Sequence, residues 1–489
     1  MNRFIKIGLN KNILKMNKTY SATIQNSPNP LLLEDMPHPK GLPIFGTKID
    51  LLLAGSGVRL HSYIDNRHKQ LGPIFYEALG GTNKLVFVSD PDMMKSVFLN
   101  LEGKYPTHLL PDPWVLYEKL YGCKRGLFFM NGEEWLANRQ IMNKFMLKEN
   151  ANAFLEPPIK ETIQKYIETL KVKAKYKMIV PNLDSELYRF SIDVLVSVLL
   201  GNDSAQKPTK HFNELLDTFS ESVKQIFHTT TKMYGIQAKW FQLLNLKRWR
   251  DFKESVDTSL LLGQKLVGEM LESRDTNQGL IKLLVDEKVS DEIITRIIAD
   301  FVIAAGDTTA YTTMWILYIL SKEKEVVHDI RNKDKSYVNH VVKEAMRLYP
   351  VAPFLTRILH KESILDNYKL SAGTPIIASI YTSGRDERNF SKANEFLPYR
   401  WDRKDSRREE LTNHVPSATL PFALGARSCI GKKIAMIQMT ELVYEIVNNF
   451  DLHCLNTTNV TAITSQVLVP NQEIKIALSL RSLLYNSFD

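Results

Sequence analysis

Beyond Trp135, apolar residues recur at helical spacing along most of the chain, and the longest such segment covers residues 290–320. Its apolar positions lie all round rather than in one stripe, which predicts a buried helix. Ser290 is placed to cap it, and Asp291 and Glu292 suit the positive end of its first turn. At 1.5 Å per residue it would extend roughly 45 Å, enough to cross a domain. In its middle, Gly306, Asp307, Thr308 and Thr309 interrupt the apolar character. Another apolar helical run starts at Ile434. Strand-like runs are few and short: 84–88, after a helix-like stretch within 60–95, then near 357–359, 374–380 and 474–478. The pattern predicts a mainly α protein with a large helical region and a smaller β-rich one.

The N-terminal end departs from this pattern. Residues 1–33 carry Arg3, Lys6, Lys11, Lys15 and Lys18 and no acid; the first acidic residue is Glu34. Phe4, Ile5, Ile7, Leu9, Ile13 and Leu14 sit between the charges without forming the ~20-residue apolar span that a membrane helix requires. A basic, acid-free leader of this kind matches a mitochondrial transit segment, although a plain basic tail has the same composition. Without its five charges the net +9 becomes +4, so the body is mildly basic. The prolines of residues 37–43 predict a stiff lead-in over 34–46. The catalytic domain is then expected over 47–489.

The length of 489 residues would allow three domains, but the chemistry-bearing motifs run from Trp135 to Gly431 and must meet at one site. One large unit is expected, and 44% hydrophobic residues can fill its core. Cys123, Cys429 and Cys454 are too few and too scattered for a disulfide framework. With no Cys-x-x-Cys pair, Gly-x-Gly-x-x-Gly loop or Gly-x-Ser-x-Gly elbow, zinc, dinucleotide and serine-hydrolase chemistries have no foothold. Nothing points to nucleic acid.

The most telling run is Pro421-Phe422-Ala423-Leu424-Gly425-Ala426-Arg427-Ser428-Cys429-Ile430-Gly431. A cysteine thiolate can ligate haem iron and donate the electron density that favours O–O cleavage. Gly425 permits a tight turn, and Gly431 a close approach to the ligand. Phe422 can shield the sulfur, and Arg427 offers a forked cation for a haem propionate. The helix that begins just beyond would favour the thiolate with its N-terminus. A lone cysteine is often simply buried, but two glycines, a phenylalanine and an arginine at these offsets argue for a ligand.

This segment resembles the haem-binding loop of the cytochrome P450 family, Phe-x-x-Gly-x-Arg-x-Cys-x-Gly. Other motifs of that family stand in the same order: Trp135 with Arg139, Ala305-Gly306-Asp307-Thr308-Thr309, Glu344-x-x-Arg347, and Pro398-Tyr399-Arg400. The likeness covers residues 37–489 and implies the P450 fold around haem b (iron protoporphyrin IX), with Cys429 as axial ligand. It implies that Trp135, Arg139 and Arg357 reach the propionates, that Asp307 and Thr308 deliver protons to dioxygen, and that Glu344, Arg347 and Arg400 have a structural role. A local Thr-to-backbone hydrogen bond in the central helix is the simpler alternative for Thr308. Two positions depart from the family: Ala305, where glycine is usual, and Tyr399, where many relatives have glutamate.

No flavin or nicotinamide motif is present, so electrons must come from a partner. Lys343, Lys432 and Lys433 match places where mitochondrial relatives dock an acidic ferredoxin of adrenodoxin type, although Asn339 stands where those relatives often have a further lysine. The implied activity is monooxygenation of an apolar small molecule by dioxygen. Overall character is most similar to the insect mitochondrial members of moulting-hormone synthesis, which implies ecdysteroid 2-hydroxylation. Another steroid, a fatty acid or a xenobiotic stays open as substrate, as does a haem-thiolate isomerase or sensor. Ala304, Ala305, Phe354, Leu355 and Val467 are the candidate pocket residues. The expected location is the matrix side of the inner mitochondrial membrane; the endoplasmic reticulum is the alternative. Between 234 and 250, Trp240, Phe241, Leu243, Leu244, Leu246 and Trp249 alternate with Lys239, Lys247, Arg248 and Arg250. This stretch fits either a peripheral membrane face or a helix packed on the core.

Overall fold

A computed structural model describes residues 29–42, 46–79, 84–175, 182–201, 209–233, 236–272 and 278–481. The basic run Arg3 to Lys18 of the expected leader lies outside these residues. Leu31–Leu32 already pairs in parallel with Tyr368 and Lys369, so sheet pairing begins inside the 1–33 segment expected to be leader. Met36 is fully buried. In the proline-rich lead-in, Pro37 O accepts from Tyr76 N at 3.1 Å and His38 stacks on the Tyr76 ring at 4.6 Å.

The long central helix runs Asp291–Leu320, with Ser290 accepting from Ile293 N at 3.4 Å. Helices Leu183–Leu200, Lys247–Glu272 and Lys432–Asn449 pack along it. Its buried residues occupy every side, as apolar positions lying all round it require. This cluster forms the larger of the cores.

The β-rich region centres on a four-stranded sheet in the order Ile74–Glu77, Leu85–Val88, Pro375–Ser379, Phe354–Ile358. The middle pair is parallel and the outer pairs are antiparallel. Phe75, Phe87 and Ile377 pack on one face, with the two phenylalanine rings 5.2 Å apart. Ile74, Val86, Val88, Ile376 and Ala378 pack on the other. Burial on both faces explains why Leu85–Val88 reads as an unbroken apolar run rather than an alternation. Three strand-like runs are present with shifted ends: Phe354–Ile358, Pro375–Ser379, and Ile476–Leu480 paired to Phe450–Cys454. Strand Ile74–Glu77 escaped sequence analysis, because four residues carry too little alternation to separate them from the helix Leu60–Leu71 before them.

The stretch 236–250 packs on the core along one side and leaves apolar side chains outward on the other. Phe241 and Trp249 are buried, whereas Trp240 (56% exposed), Leu243, Leu244 and Leu246 face outward. Ile49, Leu52 and Leu53 (84% exposed), around the short helix Lys48–Leu53, are also outward. Among the described residues, no helix is long and apolar enough to cross a membrane.

Candidate functional site

Helix Lys432–Asn449 begins two residues before the position its apolar pattern predicts, with Gly431 as N-cap. Cys429 therefore stands immediately ahead of its first turn. Burial pushes the Cys429 thiol up, while the Gly431 N–H and the Arg139 and Lys432 charges pull it down. The residue has accessible surface yet is closely surrounded by protein, the combination expected on the wall of an interior cleft. Its N–H donates to Phe422 O at 2.8 Å, which closes the loop.

Gly425 has φ +77°, and a Cβ there would collide with Phe98 O and the Glu102 carboxylate. Glycine is thus required on both counts. Gly431 is different: its φ is −83°, and the only neighbour of an added Cβ is Cys429 Sγ at 4.0 Å. Its role is to keep the side facing the sulfur open.

Glu102 organises the loop and was not singled out from the sequence. It follows a π-helical turn, Val97–Leu101, a widening often found at functional sites. One carboxylate oxygen accepts from Ala426 N at 2.7 Å and the other from Arg357 Nε at 2.8 Å. Arg357, on strand Phe354–Ile358, also donates to Leu424 O at 3.4 Å. Arg139 Nη2 donates to Ser428 O at 2.6 Å, but its buried Nε has no partner. Arg427 directs its donors to Pro106 O (2.6 Å), Leu127 O (3.2 Å), Met130 O and Asn131 Oδ1 (3.0 Å). Its guanidinium also lies 4.4 Å above the buried Trp135 ring. In this structure Arg427 thus clamps the preceding loop.

His108 lies among these cations. Burial, then Arg427 and Arg357, hold it down at about 3, so it is neutral, and its buried Nε2 is also unpartnered. Burial and the neighbouring Arg357 and Arg139 depress Arg427 itself to about 10. Three guanidiniums against the single Glu102 carboxylate leave two positive charges uncompensated, together with two orphaned buried nitrogens. A thiol on a cleft wall beside a dicationic rim fits haem b, which brings an iron and two carboxylates.

On the central helix, Ala304 is exposed and Thr308, one turn on, is partly exposed, whereas Asp307 is 4% exposed. Thr308 Oγ1 donates to Ala304 O at 2.7 Å, the local bond that its sequence context allowed. That bond uses its proton and leaves its lone pairs free to accept. Burial raises Asp307 to about 7; Lys224 opposes the shift and Asp184 adds to it.

Among the other pocket candidates, strand geometry separates two. Phe354 packs against the cluster that holds Phe75 and Phe87, and Leu355 against the cluster of Val88 and Ile380 on the opposite face, as period-two alternation requires. Ala305 is half-buried against the large core, and Val467 is half-buried in strand Val467–Pro470.

Glu344 is fully buried and central to a structural network. It accepts from Arg347 Nη2 (2.7 Å), Arg400 Nε (2.8 Å), Trp401 Nε1 (2.8 Å) and Leu397 N (3.0 Å). Burial alone would raise its pKa, but Arg347, Arg400 and the Leu397 N–H outweigh it and hold the carboxyl low. The arginines also donate to Gly384 O, Glu395 O and Ser391 O. Tyr399 stands apart, donating to Glu410 at 2.7 Å. Lys343 and Lys432 are exposed. Lys433 is not a free surface cation: its ammonium donates to Lys148 O at 2.6 Å and to Glu149 O. Asn339 accepts from Thr440 at 3.0 Å.

The cytochrome P450 family model matches residues 36–478. Three known relatives align along most of their length. The fruit fly (Drosophila melanogaster) protein called cytochrome P450 315a1, mitochondrial, is 36% identical over 91% of this chain and 89% of its own. The rat (Rattus norvegicus) mitochondrial 1,25-dihydroxyvitamin D(3) 24-hydroxylase is 27% identical over 90% of this chain and 88% of its own. The mouse (Mus musculus) mitochondrial cholesterol side-chain cleavage enzyme is 27% identical over 85% and 82%.

Proposed function

The chain belongs to the cytochrome P450 family and is a haem b monooxygenase, and on that footing we propose that it hydroxylates a steroid in mitochondria, with Cys429 as the axial iron ligand. The observation that carries the site assignment is the cysteine thiol on a cleft wall beside a rim of Arg139, Arg357 and Arg427 whose uncompensated charge and free Arg139 Nε call for two carboxylates. The steroid reading is supported by relatives named for a vitamin D derivative and for cholesterol. An insect relative with higher identity favours an insect steroid, and the finer proposal is ecdysteroid 2-hydroxylation.

When bound, haem supplies the redox centre at which dioxygen is reduced and one oxygen atom enters a substrate C–H bond. The protein's part is to hold, orient and protonate. The Gly431 N–H, Arg139 and Lys432 favour the thiolate against the cost of burying it. Arg139 Nε is the free donor available to a propionate; neutral His108 spends its ring N–H on the Phe128 carbonyl, which leaves Nε2 an acceptor. Ala304 and Thr308 present a small residue and a hydroxyl acceptor to the cleft. Asp307, half-ionised near neutrality, can accept a proton from solvent and pass it towards Thr308. Thr308→Ala should keep haem and substrate spectra yet lower the ratio of product to peroxide roughly 10-fold or more. An unchanged ratio would reduce Thr308 to a packing residue.

Electrons are proposed to come from an acidic ferredoxin meeting Lys343 and Lys432; Lys433 adds charge but is tied to the 148–149 loop. The matrix side of the inner membrane is the proposed location. It is supported by the mitochondrial names of the relatives and by the outward apolar residues Trp240, Leu243, Leu244 and Leu53. Recovery with the inner-membrane fraction after import is the matching observation. The deciding experiment is reconstitution with an adrenodoxin-type ferredoxin, its reductase and a 2-deoxyecdysteroid, scored for a product with one added oxygen. Lys343→Glu with Lys432→Glu should raise the ferredoxin concentration for half-maximal turnover roughly 10-fold at low salt. The difference should shrink as the Debye length falls to about 3 Å at 1 M salt. Turnover indifferent to both charge reversal and salt would move the docking face elsewhere. No hydroxylated ecdysteroid, with another sterol accepted, would overturn the finer substrate.

A further inference from the structure

A buried tyrosine from a neighbouring helix packs against the central helix beside Asp307. Tyr188, on helix Leu183–Leu200, is 3% exposed and lies across the central helix at Gly306. A Cβ on Gly306 would overlap the Tyr188 ring and come within 2.9 Å of its hydroxyl. Only glycine at 306 admits the phenol there. The hydroxyl is buried and has no partner in hydrogen-bond geometry; Ser220 is its polar neighbour, with its own proton on Leu216 O at 2.8 Å. An unpaired buried hydroxyl costs about 1–3 kcal/mol, so its retention here needs a reason.

The surroundings supply one. Asp307 is next in the chain to Gly306, and its charge acts on Tyr188. Lys224, on helix Lys210–Lys232, sits 5.2 Å from the Tyr188 ring centroid and 3.3 Å from Ser185 Oγ, on the outside of the molecule. The groups facing Asp307 are thus Tyr188 and Asp184 from one neighbouring helix, Lys224 from another, and Tyr311 from its own. Helix Lys247–Glu272 instead meets the central helix further back, with Gly263 against Ala299.

We propose that Tyr188 is a positioning residue for proton delivery: its hydroxyl donates to the Asp307 carboxylate whenever Asp307 has given up its proton. It thereby keeps the carboxylate turned towards Lys224 and Asp184, from whose side solvent restores the proton, and Gly306 is the gap that lets the phenol lie there. The net transfer is one proton from solvent to Asp307 and one from Asp307 towards Thr308, with Tyr188 itself unchanged. This rests on the reading of Asp307 and Thr308 given above.

The test is Tyr188→Phe, which keeps the ring against Gly306 and removes only the hydroxyl. In the resting ferric holoenzyme, infrared titration follows the Asp307 carboxyl band, assigned by its loss in Asp307→Asn. Loss of a donor to the ionised form should move the titration midpoint upward. In turnover the product-to-peroxide ratio should fall several-fold, with haem and substrate spectra unchanged. Gly306→Ala should reproduce the fall by displacing the phenol, and should cost less in a Tyr188→Ala background where the ring is gone. A midpoint and a ratio both equal to wild type in Tyr188→Phe would overturn the proposal. If Thr308→Ala and Asp307→Asn also leave the ratio unchanged, the proton-delivery reading itself fails; if they lower it and Tyr188→Phe does not, only Tyr188 is wrong.

Discussion

Cys429→Ala should abolish the long-wavelength absorption that the reduced carbon monoxide complex shows with thiolate ligation, and with it all monooxygenase turnover. The expected loss is complete, because neither other cysteine is placed to substitute. Cys454 lies at the end of strand Phe450–Cys454 with its sulfur beside Asn456, and Cys123 follows helix Asp112–Tyr121 beside the Lys124 carbonyl. Cys123→Ser and Cys454→Ser should therefore keep the full spectrum. Reduced carbon monoxide difference spectra of the three variants decide the matter, and a thiolate-type band surviving in Cys429→Ala would refute the ligand assignment.

Glu344→Gln should be the most destabilising of the conservative changes. The carboxylate is fully buried and is the shared acceptor of Arg347, Arg400, Trp401 and the Leu397 N–H. An amide of the same shape removes the negative charge and turns one acceptor into a donor aimed at guanidiniums. Two arginines then stay buried without a counter-charge, and breaking one side of a buried ion pair costs about 3–5 kcal/mol. Because the network holds the segment from Gly384 to Arg400 through backbone carbonyls, chain that fails to retain haem is the expected phenotype. Denaturant unfolding and haem content measure it. A loss below about 1 kcal/mol would show that the pairing adds little to the fold.

Much of this site was legible because it is local. The loop around Cys429 declares itself through residue types at fixed offsets, and the Glu344/Arg347 pair through spacing that puts both on one helix face. The central helix was read to within one residue at its start, since an N-cap serine and two acids are signals within a single turn. Short strands were read less well. The three-residue run near 357–359 does not reveal the full extent of strand Phe354–Ile358, or that Phe354 and Leu355 face opposite ways on it.

What the sequence by itself determined is the chemistry on offer: a lone cysteine before a helix, a buried helix broken by Asp307 and Thr308, and a family whose cofactor is haem. These rest on contacts within a turn or two, where covalent connection already brings the groups together. Tertiary packing alone decided who meets them. It brought Pro106 O to Arg427 across 321 residues and Glu102 to Arg357 across 255. It placed neutral His108 beside Arg427 and Arg357, folded Lys433 back onto Lys148 O, and laid Tyr188 over Gly306. No periodicity encodes such meetings, because they depend on how distant helices and sheet strands bury their apolar faces together.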